Sequence, residues 1–228
     1  MKKSQKLKVR NQKEKTKELL KIGAEELGIP LGDAEISLFL KYLEELKEWN
    51  KKINLTAIKD DKGIIIRHFL DSLTLTNFLK SCKTLLDIGS GAGFPGIPLK
   101  IVIPELKVTL LDSDSRKVSF MRHIIRTLGL KDISAIQGRA EDKKVADELS
   151  IFDVVAARAF SGLKVFLYTA KKYVKEGGII LAVKGPKGVT ELEELGRTIG
   201  ITFTEKGESR LPFSDITTSI LVFKRMEQ

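Results

Sequence analysis

The chain has one cysteine, Cys82, in 228 residues. No disulfide within the chain can brace the fold, and a reducing compartment, the cytoplasm, is its expected home. No apolar run approaches the roughly 20 residues needed to cross a bilayer. The basic opening segment is not followed by a secretory apolar core, so no membrane partner is expected. Internal repeats are absent, and so is low-complexity sequence beyond that basic segment. The length suffices for one good core with at most a small appendage, not two full domains. Hydrophobic residues at 42% and charged residues at 31% describe a globular protein that acts in solution.

Net charge is +10, and its distribution says more than its sum. Residues 1–17 carry eight cations (Lys2, Lys3, Lys6, Lys8, Arg10, Lys13, Lys15, Lys17) against Glu14 alone, while the remainder is nearly balanced. A basic flexible arm over 1–13 is the expectation, suited to a polyanion such as RNA. A helical cap over 14–80 should come next. Its first helix ends at Gly28 and Pro30. The second starts from Asp33 as N-cap and carries the stripe Ile36, Phe39, Leu40, Leu43 and Leu46. The third spans about Lys62 to Leu79.

The stretch from Lys83 to Gly96 is the organising centre of the chain. Leu85, Leu86 and Ile88 read as a buried parallel strand, and four glycines (Gly89, Gly91, Gly93, Gly96) come within the next eight residues, before a helix. Glycines there let the backbone approach a ligand closely, with the N–H groups of the coming helix facing it. The spacing Gly91-Ala92-Gly93-Phe94-Pro95-Gly96 fits a dinucleotide fingerprint, with Asp112 placed to hold a ribose. Asp87, inside the strand, favours a cationic ligand over a pyrophosphate. S-adenosylmethionine has an ammonium, a sulfonium and no phosphate, and is the preferred ligand. A dinucleotide and a purely structural turn remain the alternatives at this point.

Downstream, strands and helices alternate. Strands are predicted at 108–112, 133–136, 152–157 and 178–183, with helices at 118–128, 142–149, 163–174 and 189–199. The runs 201–208 and 216–224 have no helix between them and should pair antiparallel at a sheet edge. The expected fold over 81–228 is therefore a Rossmann-like, mostly parallel seven-stranded α/β sheet with an antiparallel edge pair, the class I S-adenosylmethionine-dependent methyltransferase architecture. The cap packs with it as one unit. The site falls at the carboxyl ends of the strands, on Asp87 to Phe94, Asp112, Gly138 to Glu141 and Ala157 to Phe160.

Two absences narrow the acceptor. Enzymes acting on exocyclic base amines carry an acid or amide, two prolines and an aromatic after the fourth strand, where this chain has Ala156-Ala157-Arg158-Ala159-Phe160. Pyrimidine carbon-5 chemistry needs a cysteine in the crevice, and Cys82 lies before the first strand. A ring nitrogen with a free lone pair, such as guanine N7, needs neither device. Arg67, His68 and Asp71 are spaced to share a helix face, where they are candidates to hold the phosphate or the guanine O6 edge with Asp71 orienting His68, a helix-surface ion pair being the alternative. Lys184 is a further candidate phosphate contact. No metal is expected.

The blocks Trp49-Asn50-Lys51-Lys52-Ile53-Asn54-Leu55-Thr56, Arg67-His68-Phe69-Leu70-Asp71-Ser72, Leu86 to Leu99, Gly138-Arg139-Ala140-Glu141 and Arg158-Ala159-Phe160 occur in that order. On them the chain resembles the RsmG, or GidB, family of bacterial guanine-N7 methyltransferases of small-subunit ribosomal RNA, from about residue 36 to 224. The resemblance implies cofactor contacts at Gly89, Phe94, Ala140, Glu141 and Arg158. It also implies a guanosine of 16S ribosomal RNA, in the small ribosomal subunit, as target. The chain is expected to act as a monomer, and the lysine-rich arm lies outside the pattern.

Overall fold

The computed structural model describes residues 2–158, 160, 162–184, 188–193, 195 and 200–227. Seven strands form one sheet: β1 (Thr84–Ile88), β2 (Lys107–Asp112), β3 (Ile133–Gln137), β4 (Phe152–Arg158), β5 (Val174–Lys184), β6 (Ile201–Arg210) and β7 (Thr217–Arg225). Their spatial order is β3-β2-β1-β4-β5-β7-β6. The first five run parallel, and β7 lies antiparallel between β5 and β6. Strand order reverses between β1 and β4, so a crevice opens at their carboxyl ends.

Alternating side chains divide the core into two layers, as pleated strands require. Leu85 of β1 and Val154 and Ala156 of β4 face the larger cluster. Leu86, Ile88, Val155 and Ala157 face the other. The larger cluster includes Leu20, Ala24, Phe39 and Tyr42 from helices α1 (Lys2–Glu26) and α2 (Asp33–Asn50), so the cap shares its core with the sheet. The remaining helices are α3 (Asp61–Ile64), α4 (Asp71–Leu73), α5 (Gly96–Val102), α6 (Ser115–Thr127), α7 (Lys143–Glu148), α8 (Leu163–Ala170) and α9 (Gly188–Glu193).

Several expectations change. The segment read as a flexible arm is helical from Lys2 onward. No glycine or proline precedes Gly23, and Lys, Gln, Glu and Arg all favour helix. Gly32, not Asp33, occupies the N-cap of α2, and Asp33 sits in the first turn, paired with Lys17 at 3.0 Å. The helix expected to 174 stops at Ala170. Val174, β-branched, already pairs with Phe152 in the sheet. Of the helix expected over 189–199, α9 ends at Glu193, and 194 and 196–199 lie outside the described residues.

The largest departure lies at 62–79, read as one helix. Between α3 and α4, Ile65–Leu70 forms a π-helical turn, and Thr76–Phe78 is 3₁₀. The Asp71 N–H bonds to the carbonyls of Ile66 and His68 and bypasses that of Arg67, its usual α-helical partner.

Gly96 opens α5 where it crosses closest to the sheet. A Cβ there would overlap Leu110 and stand 3.0 Å from Asp87 Oδ2 and 3.2 Å from Val108 Cγ1. Gly96→Ala should therefore lower stability by about 1–3 kcal/mol in urea unfolding, because the crowded atoms belong to packed strands. An unchanged midpoint would mean that the helix can lift off the sheet freely.

Candidate active site

The glycine turn starts where β1 ends, and the neighbouring strand shapes it. The N–H groups of Gly89 and Ser90 donate to the Leu111 carbonyl at 2.8 and 3.1 Å. The Gly91 N–H donates to Asp112 Oδ2 at 2.8 Å. Asp112 Oδ1 accepts from the Asp114 N–H at 2.9 Å, and Asp114 caps α6 through the Arg116 N–H. Asp112, read as a ribose ligand, thus first fixes the turn. Each of its oxygens keeps a second lone pair for a ribose hydroxyl. Gly93 has φ 96°, and a Cβ there would press on the Tyr42 hydroxyl at 2.9 Å. Over Gly89 nothing stands within 4 Å, which leaves the ligand side of the turn open.

Asp87 is fully buried beneath the turn. Its Oδ2 accepts from the Gly96 N–H at 2.9 Å, while Oδ1 has no partner. Burial pushes its carboxyl up to about 7, against the opposing pull of the Gly96 N–H and of the Arg158 charge. A carboxyl with one unpartnered oxygen under an open glycine cradle, charged above about pH 7, fits the cationic methionine end of S-adenosylmethionine and disfavours a phosphate. Tyr42 braces the same turn from α2. Its hydroxyl donates to the Ala92 carbonyl, and its ring stacks 5.4 Å from Phe94 and 5.3 Å from Phe69.

Arg158, at the end of β4, gathers the residues predicted on the third helix. Its Nη1 donates to the Arg67 carbonyl that the π-turn has released (2.8 Å) and to Asp71 Oδ2 (3.0 Å). Its Nη2 donates to His68 Nδ1 (2.9 Å). A guanidinium only donates, so His68 Nδ1 is an acceptor and Nε2 carries the proton, donated to Thr56 Oγ1 at 2.7 Å. Burial, then the Arg158 charge, push His68 down to about 3, so the ring is neutral at working pH. It stacks 4.6 Å from Phe94, and Arg158 lies over the same ring at 5.4 Å. Thr218 of β7 donates to Asp71 Oδ1. Asp71 therefore orients Arg158, and only through it His68, a correction to the direct pairing expected. The Arg67 side chain itself is exposed.

Ala140, after β3, is buried, and its carbonyl accepts from the Tyr173 hydroxyl at 2.7 Å, whereas Glu141 is exposed. The Gly138 N–H donates to the Asp112 carbonyl at 3.0 Å and draws that turn to the crevice. Lys184 is not a free phosphate contact. Its ammonium lies 3.0 and 3.1 Å from the Glu191 carboxylate oxygens and donates to the Phe160 carbonyl. Cys82 is half-buried at the far end of β1, and burial pushes its thiol up. His123 is held by Glu45 at 2.8 Å beside Trp49. Sequence reasoning missed Tyr42, Thr56 and Thr218. The spacing Phe39, Tyr42, Leu46 marks the buried side of α2 and identifies the first. Thr218 lies 147 residues from its partner, and no local signal marks it.

This strand order, the open glycine turn after β1 and the acid closing β2 define the chain as a class I S-adenosylmethionine-dependent methyltransferase. Two solved structures share the fold. TrmN from Thermus thermophilus has a TM-score of 0.54 at 15% identity, covering 71% of this chain and 53% of that one. The N-methyltransferase NodS from Bradyrhizobium japonicum has a TM-score of 0.52 at 16% identity, covering 68% and 93%. A sequence profile of GidB, rRNA small subunit methyltransferase G, matches residues 35–214, and the chain belongs to that family. Ribosomal RNA small subunit methyltransferase G of Acetivibrio thermocellus is 43% identical over 94% of this chain and 90% of its own length. Its namesake in Alkaliphilus metalliredigens is 40% identical over 93% and 92%.

The state of Asp87 sets a pH dependence. The unfolded carboxyl loses its proton near the ordinary 3.8, whereas the native one keeps it to about 7. Rising pH across that window therefore favours the unfolded chain, and native stability falls by at most about 4 kcal/mol before levelling above pH 7. Asp87→Asn, which copies the protonated acid in shape, should flatten this decline and raise the melting temperature at pH 8. A melting temperature at pH 8 lower than that of the parent would mean that a favourable partner holds the charged form.

Proposed function

We propose that this enzyme, acting as a monomer in the cytoplasm, transfers the methyl group of S-adenosylmethionine to N7 of one guanosine in 16S ribosomal RNA. The relatives' shared name supports the ribosomal substrate. The choice of atom rests on one observation: the groups beside β4 that are suited to act as a base are spent. His68 has both ring nitrogens engaged, and Asp71 is taken by Arg158 and Thr218. Neither is free to take a proton from an acceptor that must shed one. Guanine N7 sheds none. Its lone pair forms the N–CH₃ bond while the S–CH₃ pair returns to sulfur, and the positive charge passes from sulfonium to the ring.

When bound, the cofactor supplies an electrophilic methyl on a sulfonium. The protein's part is placement. Asp87 and the backbone of Gly89 to Gly93 hold the methionine end, Asp112 takes the ribose, and the turn at Gly138 to Glu141 lies where the adenine belongs. Phe94, stacked between Tyr42 and His68, stiffens the end of the glycine turn on which the methyl must be aligned. The cation-rich stretch 1–17, most of it within α1, gives the chain a charged element suited to a polyanionic strand.

Labelled S-adenosylmethionine should transfer its methyl to small-subunit RNA lacking this modification, presented free or as whole subunits. Reduction and strand cleavage at N7-methylguanosine should then map the label to a single guanosine. Label on an exocyclic amine or a ribose would reject the base-free reading. No label in either substrate, with S-adenosylhomocysteine still bound, would leave a non-catalytic RNA-binding role in its place.

A further inference from the structure

From the block Asn50 to Thr56, residues Asn50, Lys51, Asn54 and Thr56 line a cavity of about 430 Å³ together with Lys47, Ile58 and Lys59. Among the described residues no carboxylate lines that cavity. The neighbouring cavity of about 490 Å³ is lined by Glu44, Glu48 and Asp61 together with Lys13 and Lys47, two cations already paired to Glu44 and Asp61. Lys47 is committed to Asp61. Among the described residues Lys51 pairs only with Glu48, at 2.6 Å with both side chains 67% exposed, an arrangement that holds little energy and yields readily to a phosphate. Lys59 is exposed and makes no ion pair among the described residues.

The cavity wall is built rather than loose. Asn50 Oδ1 accepts the N–H groups of Leu55 and Thr56 at 2.8 and 3.0 Å, and its Nδ2 donates to the Thr56 carbonyl at 2.9 Å. The Thr56 hydroxyl accepts from the Ile58 N–H at 3.1 Å and from His68 Nε2 at 2.7 Å. With both lone pairs filled, the hydroxyl keeps only its hydrogen to offer, and no acceptor for it stands among the described residues. Thr56 therefore has a hydrogen to donate, and it lines the cavity. Its orientation is set by His68, and through His68 by Arg158 at the crevice.

We propose that this cavity holds a ribonucleotide of the substrate strand flanking the methylated guanosine. Its phosphate would lie on Lys51 and Lys59, with a base carbonyl or 2′-hydroxyl oxygen on Thr56 and Asn54. The assignment rests on the ribosomal RNA reading of the crevice and adds to it a second contact point. Anionic charge and hydrogen-bonding edges together are what single-stranded RNA presents to such a pocket. The Thr56–His68–Arg158 chain then makes the flanking nucleotide part of the same rigid unit as Phe94.

The test uses the full chain, unmodified small-subunit RNA and S-adenosylhomocysteine. The variant Lys51→Ala with Lys59→Ala should raise the KM for RNA about tenfold, with an unchanged affinity for S-adenosylhomocysteine. Losing the one single-strand phosphate they hold should also flatten the log–log salt dependence by about 0.7. Thr56→Val should raise the KM for RNA, and Thr56→Ser should restore it. Unchanged KM and salt slope in the double variant, with an active parent, would overturn the cavity assignment and leave the methyltransferase reading standing. A parent enzyme inactive on every small-subunit RNA would overturn both.

Discussion

A single guanidinium joins the parts of this enzyme that the chain keeps far apart. Arg158 leaves the end of β4 and meets a backbone carbonyl, a carboxylate and an imidazole, all supplied by the segment that precedes the sheet. The pair with Asp71 is largely buried, with side chains 21% and 10% exposed. Separating such a pair strands a charge away from water, which is far costlier than losing a surface ion pair. Everything around it is consequently held in register: the π-turn, the neutral His68, the Phe94 ring and, through Thr56, the loop after α2. The cap is part of the catalytic scaffold, not a cover laid on it.

The glycine turn obeys a different constraint. It must stay open on one side and firm on the other. Firmness comes from below and from the flank, through Asp112, the Leu111 carbonyl and Tyr42. Openness comes from glycine at 89 and 91, where a side chain would project into the ligand space. Asp87 remains the cost of this design, because its unpaired Oδ1 is a buried acceptor that only a proton, a water or a ligand cation can satisfy.

The sheet and its crevice were legible because each rests on a short-range signal. Apolar runs of strand length, helical stripes between them and the missing helix between the last two strands lead to the mostly parallel sheet with its antiparallel edge pair, and the acids at 87 and 112 stand where strand ends meet the switch point. The inner detail was not legible, for identifiable reasons. Ile65 to Leu70 carries an ordinary helical pattern, and nothing in those residues announces a five-residue ladder. Lys184 looks like a solvent-seeking cation until α9 brings Glu191 back over it. Asp71 lies on the expected helix face, but its carboxylate meets Arg158 and Thr218 and not the His68 ring, since those partners come from β4 and β7, and pairings of that span leave no periodicity to read.

The position of β7 bears on how the protein is made. A ribosome delivers the chain from its amino end, so the π-turn, the glycine turn and β4 all emerge before Thr218, the donor that completes the ring around Asp71. Without β7 the carboxylate has no donor on Oδ1, and β5 and β6 have no strand between them. A chain cut short before its last strand would therefore keep the glycine turn and Arg158 yet lack the donor that completes the setting of Asp71.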